Sequence, residues 1–369
     1  MPASVPLDSP VAVARKMAAE DARWALDSLL SAGQARQGVI PLLLIGHAGR
    51  IVYEGSDLAR SATKAVADPV LAARLPLDHA DAIAKARHAA KLFDDDLRPY
   101  NVLLAHMDAY LRQARSEFLG NTPYKWARRF EGDLGMYWRK RRVLGITPTV
   151  SYRMGEPPGT SSDDLAAKVL AVARTYGRAL AVLAESAGQP YAPNAAISFQ
   201  DVGYLSSRDR RSDKYLSGRF DPSYPESLKL VLLHVEGELN TLREVFPATA
   251  SGHEEAVFRA TVVGAFHGVS ALEHAEKNRP APPSQHADRM RELLCSPERQ
   301  RLFSAHGRLV RNRCMHYEIK SKLTGPLHPA LPMNGIIEAL RDGRPHADYL
   351  ADLTAVLTET SDLLHGWNA

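Results

Sequence analysis

Along most of this chain, apolar residues recur at three- and four-residue spacing, and short proline- and glycine-rich breaks separate the runs. Residues 10–32, PVAVARKMAAEDARWALDSLLSA, are the first such run, and Ser9 followed by Pro10 supplies a helix cap and a first-turn proline. Ala-rich pieces between Asp57 and Phe93, broken at Pro69 and Pro76, predict short helices. A longer amphipathic helix is predicted over 100–119, YNVLLAHMDAYLRQARSEFL. Further helices are predicted over 163–187, 225–246, 253–277 and 285–295, onward from Pro297, and at about 346–365. One segment breaks the period. In VIPLLLIGHAGRIVYEG, starting at Val39, two β-branched apolar runs flank His47-Ala48-Gly49, which predicts a β-hairpin near 39–54.

The pattern is therefore mainly α. Residues 145–163, GITPTVSYRMGEPPGTSSD, predict a loop or linker, and 188–225 predict an irregular stretch in which SSRDRRSDKY, 206–215, is a charged connector. A domain boundary is predicted near 218–225. It leaves residues 1–217 as a mostly helical region that senses or docks, and 218–369 as a compact helical bundle with a Pro-rich break at 279–283.

Composition narrows the class. A chain of 369 residues, 45% hydrophobic and 24% charged, is globular and long enough for two or three cores. Lys and Arg outnumber Asp and Glu by 46 to 42, and the pI near 9.0 permits a polyanionic partner without demanding one. Cys295 and Cys314 are the two cysteines, so there is no disulfide framework and no zinc-type ligand spacing, which fits a reducing cytoplasm. No apolar leader precedes the first helix, and the longest apolar run, 39–45, is too short to span a membrane. GHAG at 46–49 lacks the lysine and glycine spacing of a phosphate loop, so no cofactor is expected; His47, His79 and His106 stand alone, so no metal is expected either.

An arginine followed some residues later by a histidine occurs several times. Arg74 to His79, Arg279 to His286 and Arg341 to His346 are interrupted by proline or glycine, and Arg301 to His306 has Leu302 where a polar residue would stand. Arg311-Asn312-Arg313-Cys314-Met315-His316 differs, because the helix begun at Pro297 is predicted to run through it. On that helix Phe303, Val310, Cys314 and Tyr317 form an apolar strip, and Arg308, Asn312 and His316 repeat every four residues beside it. Arg311 lies roughly 140° around the helix from His316, so meeting one phosphate requires its side chain to curl back or the helix to distort.

Arg311, the adjacent Asn312 and the closing His316, set within a five-helix pattern over about residues 220–369, resemble the signature of the HEPN superfamily. That resemblance implies a HEPN-like helical bundle and a metal-independent endoribonuclease with Arg311, Asn312 and His316 as site residues. It further implies RNA as partner, a homodimer or higher even oligomer that builds one composite cleft, and a toxin or antiphage setting with an antitoxin or activator protein. The chemistry is consistent. His316 can act as general base or acid when a ribose 2′-hydroxyl attacks the adjacent phosphate. Arg311 would clamp that phosphate, Asn312 would bond it or hold His316 in one tautomer, and Arg308, Arg313 and Tyr317 would contact RNA. The other reading is a non-catalytic HEPN-like module that binds RNA, a nucleotide or a protein, with the polar trio as a buried network or solvated stripe.

YKWARRFEGDLGMYWRKRR, 124–142, interleaves Tyr124, Trp126, Tyr137 and Trp138 with seven cations against two acids. Two readings stand: rings and cations for single-stranded RNA, or an amphipathic helix that buries its aromatics.

Overall fold

The Ser9 hydroxyl accepts from the Ala12 N–H, and Pro10 opens a helix that runs to Gln34. In this computed structural model, residues 9–60, 68–76, 78–94, 99–160, 162–194, 197, 199, 202–203, 205–278, 285–317, 319 and 323–367 are described. The break predicted at 279–283 lies outside them. The α-helices are α1 (Pro10–Gln34), α2 (Val39–Arg60), α3 (Pro69–Arg74), α4 (Ala80–Ala90), α5 (Tyr100–Phe118), α6 (Pro148–Arg153), α7 (Ser162–Ala184) and α8 (Ser212–Ser217). They continue as α9 (Glu226–Glu244), α10 (Glu254–Lys277), α11 (Gln285–Leu294), α12 (Pro297–Leu302), α13 (Ala305–His316), α14 (Ile336–Ala339) and α15 (His346–Gly366). A small antiparallel sheet in the order β2-β1-β3 joins β1 (Leu134–Arg139), β2 (Arg142–Ile146) and β3 (Ser206–Arg210). The protein is mainly α, as the periodicity predicts.

The hairpin lies elsewhere than predicted. Residues 39–54 belong to α2, whose buried positions Ile40, Leu43, Leu44, His47, Ala48, Ile51, Glu54, Gly55 and Leu58 follow helical spacing. Gly49 is a packing residue there and not a turn residue: a Cβ on it would lie 2.9 Å from the Tyr176 hydroxyl of α7. The actual hairpin is β1–β2, which also corrects the amphipathic-helix reading of 124–142. Leu134 and Met136 alternate inward and are fully buried, and Lys140 and Arg141 turn the chain with φ of 46° and 71°. The predicted connector at 206–215 supplies β3, paired with β1 from Leu134↔Arg210 to Trp138↔Ser206, and then α8.

Among the described residues, the buried side chains form two hydrophobic clusters, and both draw on residues before and after 217. In the larger, α9 lies along β2, α1 packs on α7, and α2 packs on α4 and α7. Trp24 is fully buried in it and donates from Nε1 to Thr249 Oγ1 at 2.9 Å, so Trp24→Ala should cost roughly 3–5 kcal/mol. The smaller cluster joins the start of α1 to α10, α13, α14 and α15 through residues such as Met17, Phe266, Cys314 and Tyr349.

Candidate active site

The helix predicted onward from Pro297 is broken before the motif. α12 ends at Leu302, and Ser304 caps α13 by accepting from the Gly307 N–H at 3.2 Å. Gly307 is required at this step, since a Cβ there would collide with the Leu302 carbonyl. α13 then ends on the motif itself. His316 is its last residue, and Tyr317 caps it in the left-handed region with φ of 55°, a conformation that a bulky side chain rarely adopts.

Buried ion pairs hold that cap. The Tyr317 hydroxyl donates to Asp21 Oδ2 at 2.6 Å, and Arg50 donates to the same oxygen, to the Cys314 carbonyl and to the Tyr317 hydroxyl. Arg259 of α10 reaches the other Asp21 oxygen at 2.8 Å. Four helices or their ends, from α1, α2, α10 and α13, thus meet at one buried carboxylate. Such a cluster positions the motif more than it stabilises the fold, because desolvation offsets most of its Coulomb gain.

His316 is oriented by a residue far away in sequence. Its Nδ1 lies 2.9 Å from Glu54 Oε2 on α2, and Arg87 of α4 donates from Nε to Glu54 Oε1 at 2.9 Å. Burial pushes the Glu54 carboxyl up, but the His316 hydrogen bond and the Arg87 charge outweigh it, and the group sits below the ordinary carboxylate range. An ionised carboxylate can only accept, so Nδ1 carries the proton and Nε2 is left as the basic nitrogen. The His316 side chain is 34% exposed, whereas Glu54 is 2% exposed. The role of orienting the ring thus falls to Glu54; Asn312, expected there, accepts from Arg311 at 3.2 Å instead.

Arg311 and His316 pack against different helices. The Arg311 guanidinium lies 5.9 Å from the Phe266 ring of α10, close to Met315 Sδ, and its Nε is buried with no partner among the described residues. The other expected contacts separate. Arg308 is exposed, and Arg313 is buried. Tyr317, read from the sequence as an RNA contact, is fully buried with its hydroxyl taken by Asp21, which corrects that assignment. Cys314 is buried as well, and desolvation pushes its thiol up to about 12, so it is no nucleophile.

Met315 and Arg87 also line a cavity of about 50 Å³ with His47, His234, Glu238 and His267. Glu238 is bonded on one oxygen by His47 at 2.7 Å and on the other by Arg153 at 2.6 Å. Burial pushes that carboxyl up, but Arg153 and His47 prevail and hold it well below the ordinary range. His267 Nε2 is buried with no partner among the described residues. Burial, aided by Arg311, lowers the His267 ring to about 3, and burial, aided by Arg153, lowers His234 to about 3. Burial and ion pairing thus account for these perturbed groups, which lie in an enclosed cavity that adjoins the motif helix. Among the described residues, no group of three or more His, Cys, Asp or Glu is placed to hold a metal ion, and no helix is long and apolar enough to cross a membrane.

Glu54, Arg87 and the cavity residues escape the motif reading. A signal for them exists on α2: His47, Arg50 and Glu54 put three polar groups on its buried face. Comparison with protein-family models, with curated proteins and with solved structures returned no match.

Proposed function

We propose that this protein is a metal-independent endoribonuclease that cleaves RNA by attack of a 2′-hydroxyl on the adjacent phosphate. The observation that carries the reading is the Glu54–His316 pair, in which a buried, ionised carboxylate fixes the tautomer and leaves Nε2 on a ring that solvent reaches. His316 Nε2 would take the 2′-hydroxyl proton while O2′ bonds to phosphorus, and the bond from phosphorus to O5′ would break. The departing O5′ needs a proton. A second copy of the chain, related by a twofold axis, would deliver it from the Nε2 of the corresponding ring, which enters the reaction protonated on both nitrogens, and this makes a homodimer part of the proposal. Arg311 would turn from Phe266 toward the phosphate and offset charge in the transition state, with Asn312 at its side. The HEPN resemblance extends the proposal to a toxin or antiphage role with an antitoxin or activating protein.

One observation favours the second reading, a non-catalytic binding module: Arg311 and His316 face different helices. Labelled RNA incubated with the protein in EDTA decides between them. Cleavage that disappears in His316→Ala and Arg311→Ala and weakens in Glu54→Gln supports the nuclease. Cleavage by wild type that survives in both alanine variants removes this site, and silence of wild type in every assembly state leaves the module.

A further inference from the structure

Among the described residues, four aromatic side chains stand at least half exposed, and all lie between residues 118 and 130: Phe118 at 52%, Tyr124 at 65%, Trp126 at 66% and Phe130 at 70%. Three of them touch in series, with centroids 6.4 Å apart for Tyr124 and Trp126 and 6.5 Å for Trp126 and Phe130. The stretch FLGNTPYKWARRF carries Lys125, Arg128 and Arg129, all exposed, and no acid. The Arg129 guanidinium lies 4.7 Å from the Phe130 ring. The loop is fastened. Glu131, the next residue, accepts from the Gly120 and Thr122 N–H groups at 2.6 and 2.8 Å, and Arg128 Nε donates to the Thr122 carbonyl at 3.1 Å. A short 3-10 turn, Ala127–Phe130, then leads into the glycine-linked approach to β1.

Rings of this size are normally buried, and here they are held outward by a loop whose two flanking acids, Glu117 and Glu131, are both engaged in hydrogen bonds. An apolar partner protein would match the rings but not the three exposed cations beside them; a chain of bases and phosphates matches both, since each base offers a face and each linkage a charge. A duplex hides those faces. We propose that Tyr124, Trp126 and Phe130, with Lys125, Arg128 and Arg129, form a stacking platform for single-stranded RNA. The choice of RNA over DNA rests on the nuclease reading above; the platform itself does not, because stacking is indifferent to the sugar.

The test separates the two. Anisotropy of fluorescein-labelled oligouridylate and oligothymidylate is followed with the full chain, since the DNA strand lacks the 2′-hydroxyl and cannot be cleaved by the proposed route. Both strands are expected to bind, a duplex of equal length less tightly. Trp126→Ala and Phe130→Ala should each weaken binding about tenfold, Arg128→Ala with Arg129→Ala should flatten the salt dependence, and Leu350→Ala, at an exposed position of α15, should bind as wild type. These positions are exposed, so unchanged melting temperatures are expected to exclude misfolding. Unaltered binding by the ring variants overturns the platform even if wild type cleaves RNA. Wild type that binds neither strand overturns it too, as does a Trp126→Ala variant whose sole defect is loss of self-association. Binding that follows the platform variants in a protein without cleavage keeps the platform and removes the nuclease.

Discussion

α2 contributes to two carboxylate–imidazole–guanidinium trios, and they are near mirror images. At one position it supplies the imidazole: His47 bonds Glu238, which also holds Arg153. Seven residues on, two turns along the same face, it supplies the carboxylate: Glu54 bonds His316 and holds Arg87. Pairing distances of 2.6–2.9 Å are shared, and both carboxyls sit below their ordinary range. Access distinguishes them. The His47 side chain is 7% exposed and that of His316 is 34% exposed. Similar chemistry therefore does different work under the proposal above: an enclosed ring bonded to its carboxylate is a structural tie, and an open one, whose Nε2 has no hydrogen-bond partner among the described residues, would meet the substrate.

The sharpest way to break this comparison is to remove each ring. His316→Ala should lower RNA cleavage by about a thousandfold, within the range of a lost general base, while the melting temperature stays near wild type. His47→Ala should do the reverse, lowering stability and preserving cleavage per folded molecule. Single-turnover rates beside urea melts check both, and equal loss of cleavage in the two variants would dissolve the distinction. Next in size is Glu238→Ala, which strands Arg153 and His47 in the cavity and should destabilise the fold by about 3 kcal/mol, read as a shift of the urea midpoint at constant slope. Glu54→Gln should act on rate more than on stability. An amide can present its NH₂ to Nδ1 and favour the wrong tautomer, so cleavage should fall by about a hundredfold. His316→Ala and the double variant should then cleave alike, because Glu54 works through the ring.

Local physics decides how much of this is legible in the sequence. Helices with their own caps announce themselves, as Ser9-Pro10 and Ser296-Pro297 do. α2 disguised itself, because β-branched residues and glycines that serve the α2–α7 contact mimic strands around a turn. The true hairpin was hidden for the opposite reason: Lys140 and Arg141 take positive φ without the Asn-Gly chemistry that marks such turns. The motif side chains were visible as types and spacing, yet their surroundings were not. Glu54 and His316 are 262 residues apart, so only folding brings the orienting carboxylate to the ring. Tyr317 looked like a contact because nothing local shows that Asp21 would claim its hydroxyl.

The smallest effect tests the enclosed side of the comparison through pH. His234 and His267 both have folded values lowered to about 3, against an ordinary 6.5. Between those values the unfolded chain binds protons that the native rings refuse, so stability rises with pH across that window and is lost as pH falls below 6.5. Glu54 and Asp27 do not confuse the measurement near pH 5, since carboxyls depressed in the native state withdraw their contribution only as pH drops through the carboxylate range. At pH 5 each buried ring should therefore remove on the order of 1–2 kcal/mol relative to pH 7.5. His267→Leu sharpens this. It deletes one of the two rings along with a buried nitrogen that has no partner among the described residues, so the loss between pH 7.5 and pH 5 should shrink by about half while stability at pH 7.5 changes little. If the variant loses as much stability on acidification as wild type, the imidazole is reached by solvent, and the contrast between closed and open rings on which the site assignment stands no longer holds.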